Sequence, residues 1–230
     1  RGFTKETLEF LRLLKRNNRR PWFQKHKAIY DEKVRQPMVE LVQAMNYELL
    51  DLAPELVTEP RKAIYRIYRD IRFSSDKSPY KTHVAALFSP HHLPKHAGAA
   101  LYVHLDRDEF LVAGGVYMPG PKELWDIRNH VAQHLTAFKE ILANRRFKKA
   151  FGTLEGEQLS RVPKGFPSDH PAAEFLRYKQ FLISAVHPPE VALNSGLLEL
   201  LRNYTQAMTP LIRFLNMPLT EERYRNPIEY

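Results

Sequence analysis

Apolar positions recur along the first sixty residues with a helical period. Leu8, Leu11 and Leu14, reinforced by Phe10 and Leu13, predict a first helix with Thr4 as its N-cap, Phe3 and Leu8 as a hydrophobic staple and Asn17-Asn18 as its end. Pro21 suits the first turn of a second helix carrying Trp22, Phe23, His26, Ile29, Tyr30 and Val34. Pro37 marks a kink or a fresh start before the stripe Met38, Leu41, Val42, Met45, Leu49 and Leu52. From Ala63 the period falls to that of a strand. Extended, residues 63–73 put Tyr65, Ile67, Arg69, Ile71 and Phe73 on one face and Arg66, Tyr68, Asp70 and Arg72 on the other. Ser74 to Pro79 has turn composition, Val84 to Phe88 reads as a strand, and residues 89–98 read as a flexible loop. Ala100 to Leu105 and Phe110 to Met118 predict a hairpin around Asp106–Glu109, with Gly114 and Gly115 marking a bulge or a close backbone approach.

The second half returns to helical periods. Leu124, Ile127, Arg128, Val131, Leu135, Phe138 and Leu142 predict one long helix after Pro121, and Phe147 and Phe151 a short basic one ending at Gly152. After an irregular stretch, Asp169 is placed to cap a helix carrying Phe175, Leu176, Leu182 and Ile183, broken by Pro188-Pro189. Leu197, Leu201, Tyr204, Met208, Leu211 and Leu215 predict a last helix, kinked at Pro210. Strands joined by short connections favour antiparallel or mixed pairing over a parallel α/β sheet. The expectation is one α+β domain over residues 1–230. Its sheet of about four or more strands lies within residues 63–118, packed by N-terminal and C-terminal helices.

Composition narrows the picture. With 43% hydrophobic and 27% charged residues in 230, the chain buries a core rather than staying disordered. It has no cysteine, which excludes disulfides, thiolate metal sites and a cysteine nucleophile and fits a reducing compartment. No apolar run approaches a membrane span and no signal-peptide core is visible, so a cytoplasmic protein with no membrane partner is expected. The net charge of +9 raises the weight of anionic partners, although the basic residues are spread along the chain.

The chemistry concentrates in Ile64 to His83. Arg66, Arg69, Arg72, Lys77, Tyr80 and Lys81 are the candidate ligand-binding residues, with Asp70, Asp76, His83 and His104 in support. Guanidinium forks match the oxygens of phosphate and carboxylate in pairs, lysines add point charge, and a tyrosine hydroxyl or ring contacts a ligand. The leading expectation is binding of an anionic small molecule, phosphorylated or otherwise, or of nucleic acid. The alternative is a hydrolase or transferase acting on a phosphate ester, with His83, His104 or Tyr80 as base or nucleophile and the arginines stabilising developing charge. A third reading makes Arg and Asp a structural network and moves function to a partner interface. Neighbouring arginines lower a carboxylate's basicity, so Asp70 and Asp76 orient arginines rather than move protons. No metal is expected: the loop that holds His91, His92 and His96 has no acidic or thiolate residue of its own in sequence, and His130 and His134 have Val131 where a zinc-protease helix needs Glu. No cofactor fingerprint is present.

The pattern Arg66-x-x-Arg69-Asp70-x-Arg72-Phe73, followed by Asp76-Lys77-x-x-Tyr80, resembles the signature of a family of uncharacterised proteins of about this length, found widely in bacteria and in some fungi. The similarity extends to Asn17-Asn18 and Trp22-Phe23, to Tyr80-Lys81-Thr82-His83, to Gly114-Gly115-x-Tyr117, and to Pro163-Lys164-Gly165-Phe166 before Asp169-His170-Pro171. Arg19-Arg20-Pro21 departs from the less basic turn usual there. The resemblance implies one domain and a place for the site; it implies no reaction.

Overall fold

Three prolines and two threonines set the N-terminal helices. In the computed structural model, which describes residues 2–225 and side chains through residue 219, α1 runs Lys5–Arg16 with Phe10, Leu11 and Leu14 buried. The Thr4 backbone N–H donates to Thr7 Oγ1 at 3.0 Å. α2 (Arg20–Tyr30) does not end at Pro37: one π turn, Asp31–Arg35, carries it into α3 (Gln36–Leu52). Pro37 has no N–H for the carbonyl four residues back, that of Lys33. The buried Thr7 hydroxyl donates to that carbonyl at 2.6 Å, which ties α1 to the turn. Pro60 then opens the single-turn α4 (Pro60–Ala63).

The four strands are not the four expected. β1 (Val84–Phe88), β2 (Ala100–Leu105) and β3 (Phe110–Val116) agree with the pattern. The strand expected at residues 63–73 is absent, because that stretch forms only two isolated bridges, Ile64 to Ala86 and Tyr68 to Tyr80, and no continuous ladder. Its place is taken by β4 (Phe181–His187), expected to be helical; the helix there is only α8 (Ala173–Leu176). Phe175, Leu176, Leu182 and Ile183 are spaced by seven, which satisfies a helix, but Phe181 and Ile183 alternate against β3 and are fully buried. The sheet is antiparallel throughout, in the order β1-β2-β3-β4, with Tyr102 opposite Ala113 and Ala113 opposite Ser184. It therefore reaches well beyond residue 118. Gly115 has φ +107°, and a Cβ there meets the Phe181 carbonyl oxygen at 1.9 Å, so the β3–β4 contact requires glycine.

Helices cover one face of this sheet. The expected long helix is two, α5 (Pro121–Gln133) and α6 (Leu135–Ala143), broken at His134, with α7 (Arg145–Phe151) after them. α9 (Leu197–Arg225) runs unbroken through Pro210 and packs on β3, α3, α5, α6 and α7. Leu101, Val103, Leu105, Phe110, Val112 and Ile183 are fully buried on this side. Their neighbours Tyr102, His104, Leu111, Ala113, Ser184 and Val186 point the other way and keep some exposure, leaving an open face. The result is a single α+β domain over the described residues; Arg1 and residues 226–230 of the expected span lie outside them.

Three asparagine side chains hold the connections, each pairing with both backbone groups of a remote residue. Asn18 bonds the Tyr80 N–H and C=O (3.1 and 2.8 Å), and Asn46 those of Thr58 (3.1 and 2.9 Å). Buried Asn216 of α9 bonds those of Ala99 (2.7 and 2.9 Å). Residues 89–98, expected to be flexible, are thus pinned at the β2 end by Asn216, and at the other by the His91 N–H donating to Glu55 O.

Candidate anion site on the open face of the sheet

The stretch Ile64–His83 folds back on itself. Tyr65 N–H donates to Ala85 O, Arg69 N–H to Pro79 O and Lys81 N–H to Ile67 O, so residues 70–78 close as a loop. There both arginines are met by local acids and Lys77 by a backbone carbonyl. Arg72 makes a two-bonded fork on Asp70 (3.0 and 2.7 Å), and Arg69 pairs with Asp76. Lys77 Nζ donates to Ile71 O at 3.0 Å. Arg72 holds the Asp70 carboxyl down at about 2, and Ser78 followed by Arg69 holds that of Asp76 well below the carboxylate range. Phe73, at the tip, is 95% exposed. Tyr80, expected to touch ligand, is instead core: it is 2% exposed and stacks on Phe23 at 4.1 Å.

The next residues leave the loop for the open face. Lys81 Nζ lies 4.9 Å and Lys95 Nζ 4.4 Å from the centre of the Tyr65 ring. His96 stacks on the same ring at 6.0 Å and Tyr102 meets it edge-on at 6.2 Å. His96 holds φ +72°, a left-handed conformation uncommon in side-chain-bearing residues. Among the described residues no carboxylate pairs with Lys81, Lys95 or exposed Arg66; Lys95 donates to the Lys62 carbonyl instead. Burial, then Arg66, then Lys95 hold the Lys81 ammonium below the ordinary lysine range, as positive charge left uncancelled requires.

Beside the lysines His83 and His104 stack at 5.2 Å. Burial, followed by the nearness of His104 and Lys81, pushes His83 down to about 4, so it is neutral at pH 7. His104 bonds Tyr102 OH through Nδ1 at 3.2 Å and Glu109 Oε1 through Nε2 at 3.1 Å. Glu109 belongs to the hairpin turn, where Asp106 accepts the backbone N–H groups of Asp108 and Glu109 at 2.6 and 2.8 Å. From this turn Glu109 reaches back along β2 to His104.

Of the candidate residues, then, Lys81, His83 and His104 come together, with Arg66 at the margin. Arg69, Arg72, Lys77, Asp70 and Asp76 stay in the side loop, and Tyr80 is buried. The pattern reading missed Tyr65, Lys95, His96, Tyr102 and Glu109 as site residues. Tyr102 and His104 were legible, since polar side chains alternate there with buried Leu101, Val103 and Leu105. Lys95 and His96 carried no signal; their loop is brought to Tyr65 by anchors elsewhere. A groove of about 1160 Å³ between α6, α7 and α9 lies apart, lined by Ile141, Arg146, Lys149, Tyr204 and Gln206 among others. Among the described residues no three His, Asp or Glu side chains gather as for a metal ion, and no helix is long and apolar enough to cross a membrane.

A family model described as "Conserved hypothetical protein (DUF2461)" matches residues 6–214, which include every residue of the loop and of the open face named above. The chain belongs to that family. No curated protein and no solved structure matches the chain.

Proposed function

We propose that this member of the DUF2461 family binds a phosphorylated or otherwise anionic ligand on the open face of its sheet, at Lys81 and Lys95 over the Tyr65 ring, with Arg66 adding its charge near Lys81. One observation carries the reading: two ammonium groups share one aromatic ring without a carboxylate partner. Gathering like charges costs free energy that a bound anion offsets, and partial desolvation strengthens each contact the anion makes. Tyr65 and Tyr102 offer a flat apolar wall for the body of such a ligand, and neutral His83 offers a hydrogen bond without further charge. The arginine–aspartate pairs of residues 69–76 fit the structural reading instead, since their charge is met locally.

The test is thermal shift followed by calorimetry with pyrophosphate, a nucleotide panel and short oligonucleotides. Binding by the wild type that is lost in Lys81→Ala/Lys95→Ala supports the site. Affinity that falls steeply with salt and grows with oligonucleotide length identifies nucleic acid as the partner, because released counterions then drive binding. Binding that the double variant leaves unchanged sinks the proposal.

A further inference from the structure

We infer that the ligand is a phosphate ester and that Tyr102 is the nucleophile that attacks it, activated by His104 and oriented by Glu109; this rests on the binding reading above. The three groups sit in one hairpin. Tyr102 and His104 are two apart on β2, so the pleat turns both to the open face, and the tight turn at Asp106 returns Glu109 to the same side.

The polarity of the chain follows from its acceptor-only end. The Glu109 carboxylate accepts from the Nε2–H of His104 at 3.1 Å. Nδ1 is then the bare nitrogen, and the Tyr102 hydroxyl donates to it at 3.2 Å. The phenol hydrogen is thereby turned toward the imidazole, and the oxygen's lone pairs point away from it. The Tyr102 ring lies against Tyr65, the ring that carries Lys81 and Lys95. Hydroxyl, imidazole and carboxylate thus stand in the order that activates a hydroxyl nucleophile. Burial raises the Tyr102 phenol above its ordinary range, so it is not ionised beforehand and needs a base at the moment of attack.

The chemistry balances with water as the only co-reactant. The Tyr102 oxygen bonds to phosphorus while its proton passes to His104 Nδ1. The ester P–O bond breaks with its electron pair on the leaving oxygen, which takes that proton back. Water then attacks the phosphotyrosyl group, its proton passes to His104 and on to the departing Tyr102 oxygen, and phosphate leaves. Glu109 stabilises the imidazolium in both halves, and Lys81, Lys95 and Arg66 hold the non-bridging oxygens.

Nitrophenyl phosphate and bis-nitrophenyl phosphate are the probes, with pyrophosphate calorimetry run alongside. The expected result is nitrophenolate release by the wild type, phosphate on Tyr102 after acid quench and peptide mass spectrometry, and Tyr102→Phe that binds pyrophosphate but turns over at least about a hundredfold more slowly. Glu109→Gln should keep part of the rate and shift the acidic limb of the pH–rate profile, which loss of packing alone does not do. A wild type that binds pyrophosphate and hydrolyses neither ester, or a Tyr102→Phe variant as fast as the wild type, overturns the nucleophile and leaves binding standing. A wild type that does not bind pyrophosphate or any of the nucleotides or oligonucleotides overturns both.

Discussion

The loop from Arg69 to Ser78 and the open face of the sheet are built from similar side chains, and their electrostatics are opposite. In the loop each arginine has an aspartate a few residues away, so short-range chain geometry neutralises it in place. On the face, Lys81 and Lys95 arrive from separate segments and meet over Tyr65 with no acid between them. A dense run of charge in sequence is thus a poor guide to charge left available; sequence-local partners consume it first. What remains available is the charge that tertiary structure gathers.

The sharpest way to break this contrast is at its hinge, Tyr80, which joins loop and face. Tyr80→Ala removes a ring stacked on Phe23 and should lower stability by about 3–5 kcal/mol in urea denaturation. A loss below about 1 kcal/mol would mean that Tyr80 is not core.

Next comes pH, because the two regions titrate in different windows. His83 goes from an ordinary 6.5 to about 4 on folding, so between those values the unfolded chain holds the extra proton. Stabilisation that is complete above 6.5 is lost as pH falls toward 4, by on the order of 3 kcal/mol. Asp70, held at about 2 rather than 3.8, loses its stabilising pairing only below its ordinary range. Denaturation followed from pH 7 to 4 should show the His83 slope, and His83→Gln should flatten it; an unchanged slope assigns it elsewhere.

Binding separates the regions a third way. Lys81→Ala should weaken pyrophosphate binding about tenfold or more, whereas Arg72→Ala should change it less than twofold, both by calorimetry. Equal losses would return the arginine loop to the site.

The smallest effect is on the loop's own ion pairs. Arg69→Ala and Arg72→Ala should each leave the thermal midpoint almost unchanged, since their partners are largely exposed and solvent screens the pairs. A clear drop of the midpoint in thermal unfolding would show that these pairs hold more than their own turn.

Several elements were readable without coordinates. The stripes of α1, α3 and α9 and the hairpin β2–β3 follow from periods that local geometry alone imposes. Two readings failed for the same reason in opposite directions. Residues 63–73 alternate as a strand does, yet a strand exists only where a neighbour supplies a hydrogen-bonded ladder, and there only two bridges form. Phe181–His187 sits in a stretch whose apolar spacing also suits a helix, and β3 claims it as an edge partner. The site divided along the same line. Lys81, His83 and His104 were in view, while Lys95 and His96 were invisible as partners because nothing local joins them to Tyr65; Glu109 lies in the expected hairpin, but its side chain's return to His104 is a property of the folded turn.

By itself the sequence determined the helical faces, the hairpin, the absence of thiol chemistry and an excess of positive charge, all properties of nearest neighbours or of composition. Only the tertiary structure decided which strand completes the sheet, which face stays open and which cations go unpaired. Those outcomes depend on contacts between segments far apart in the chain, such as Asn18 with Tyr80 and Asn216 with Ala99, and no local period encodes them.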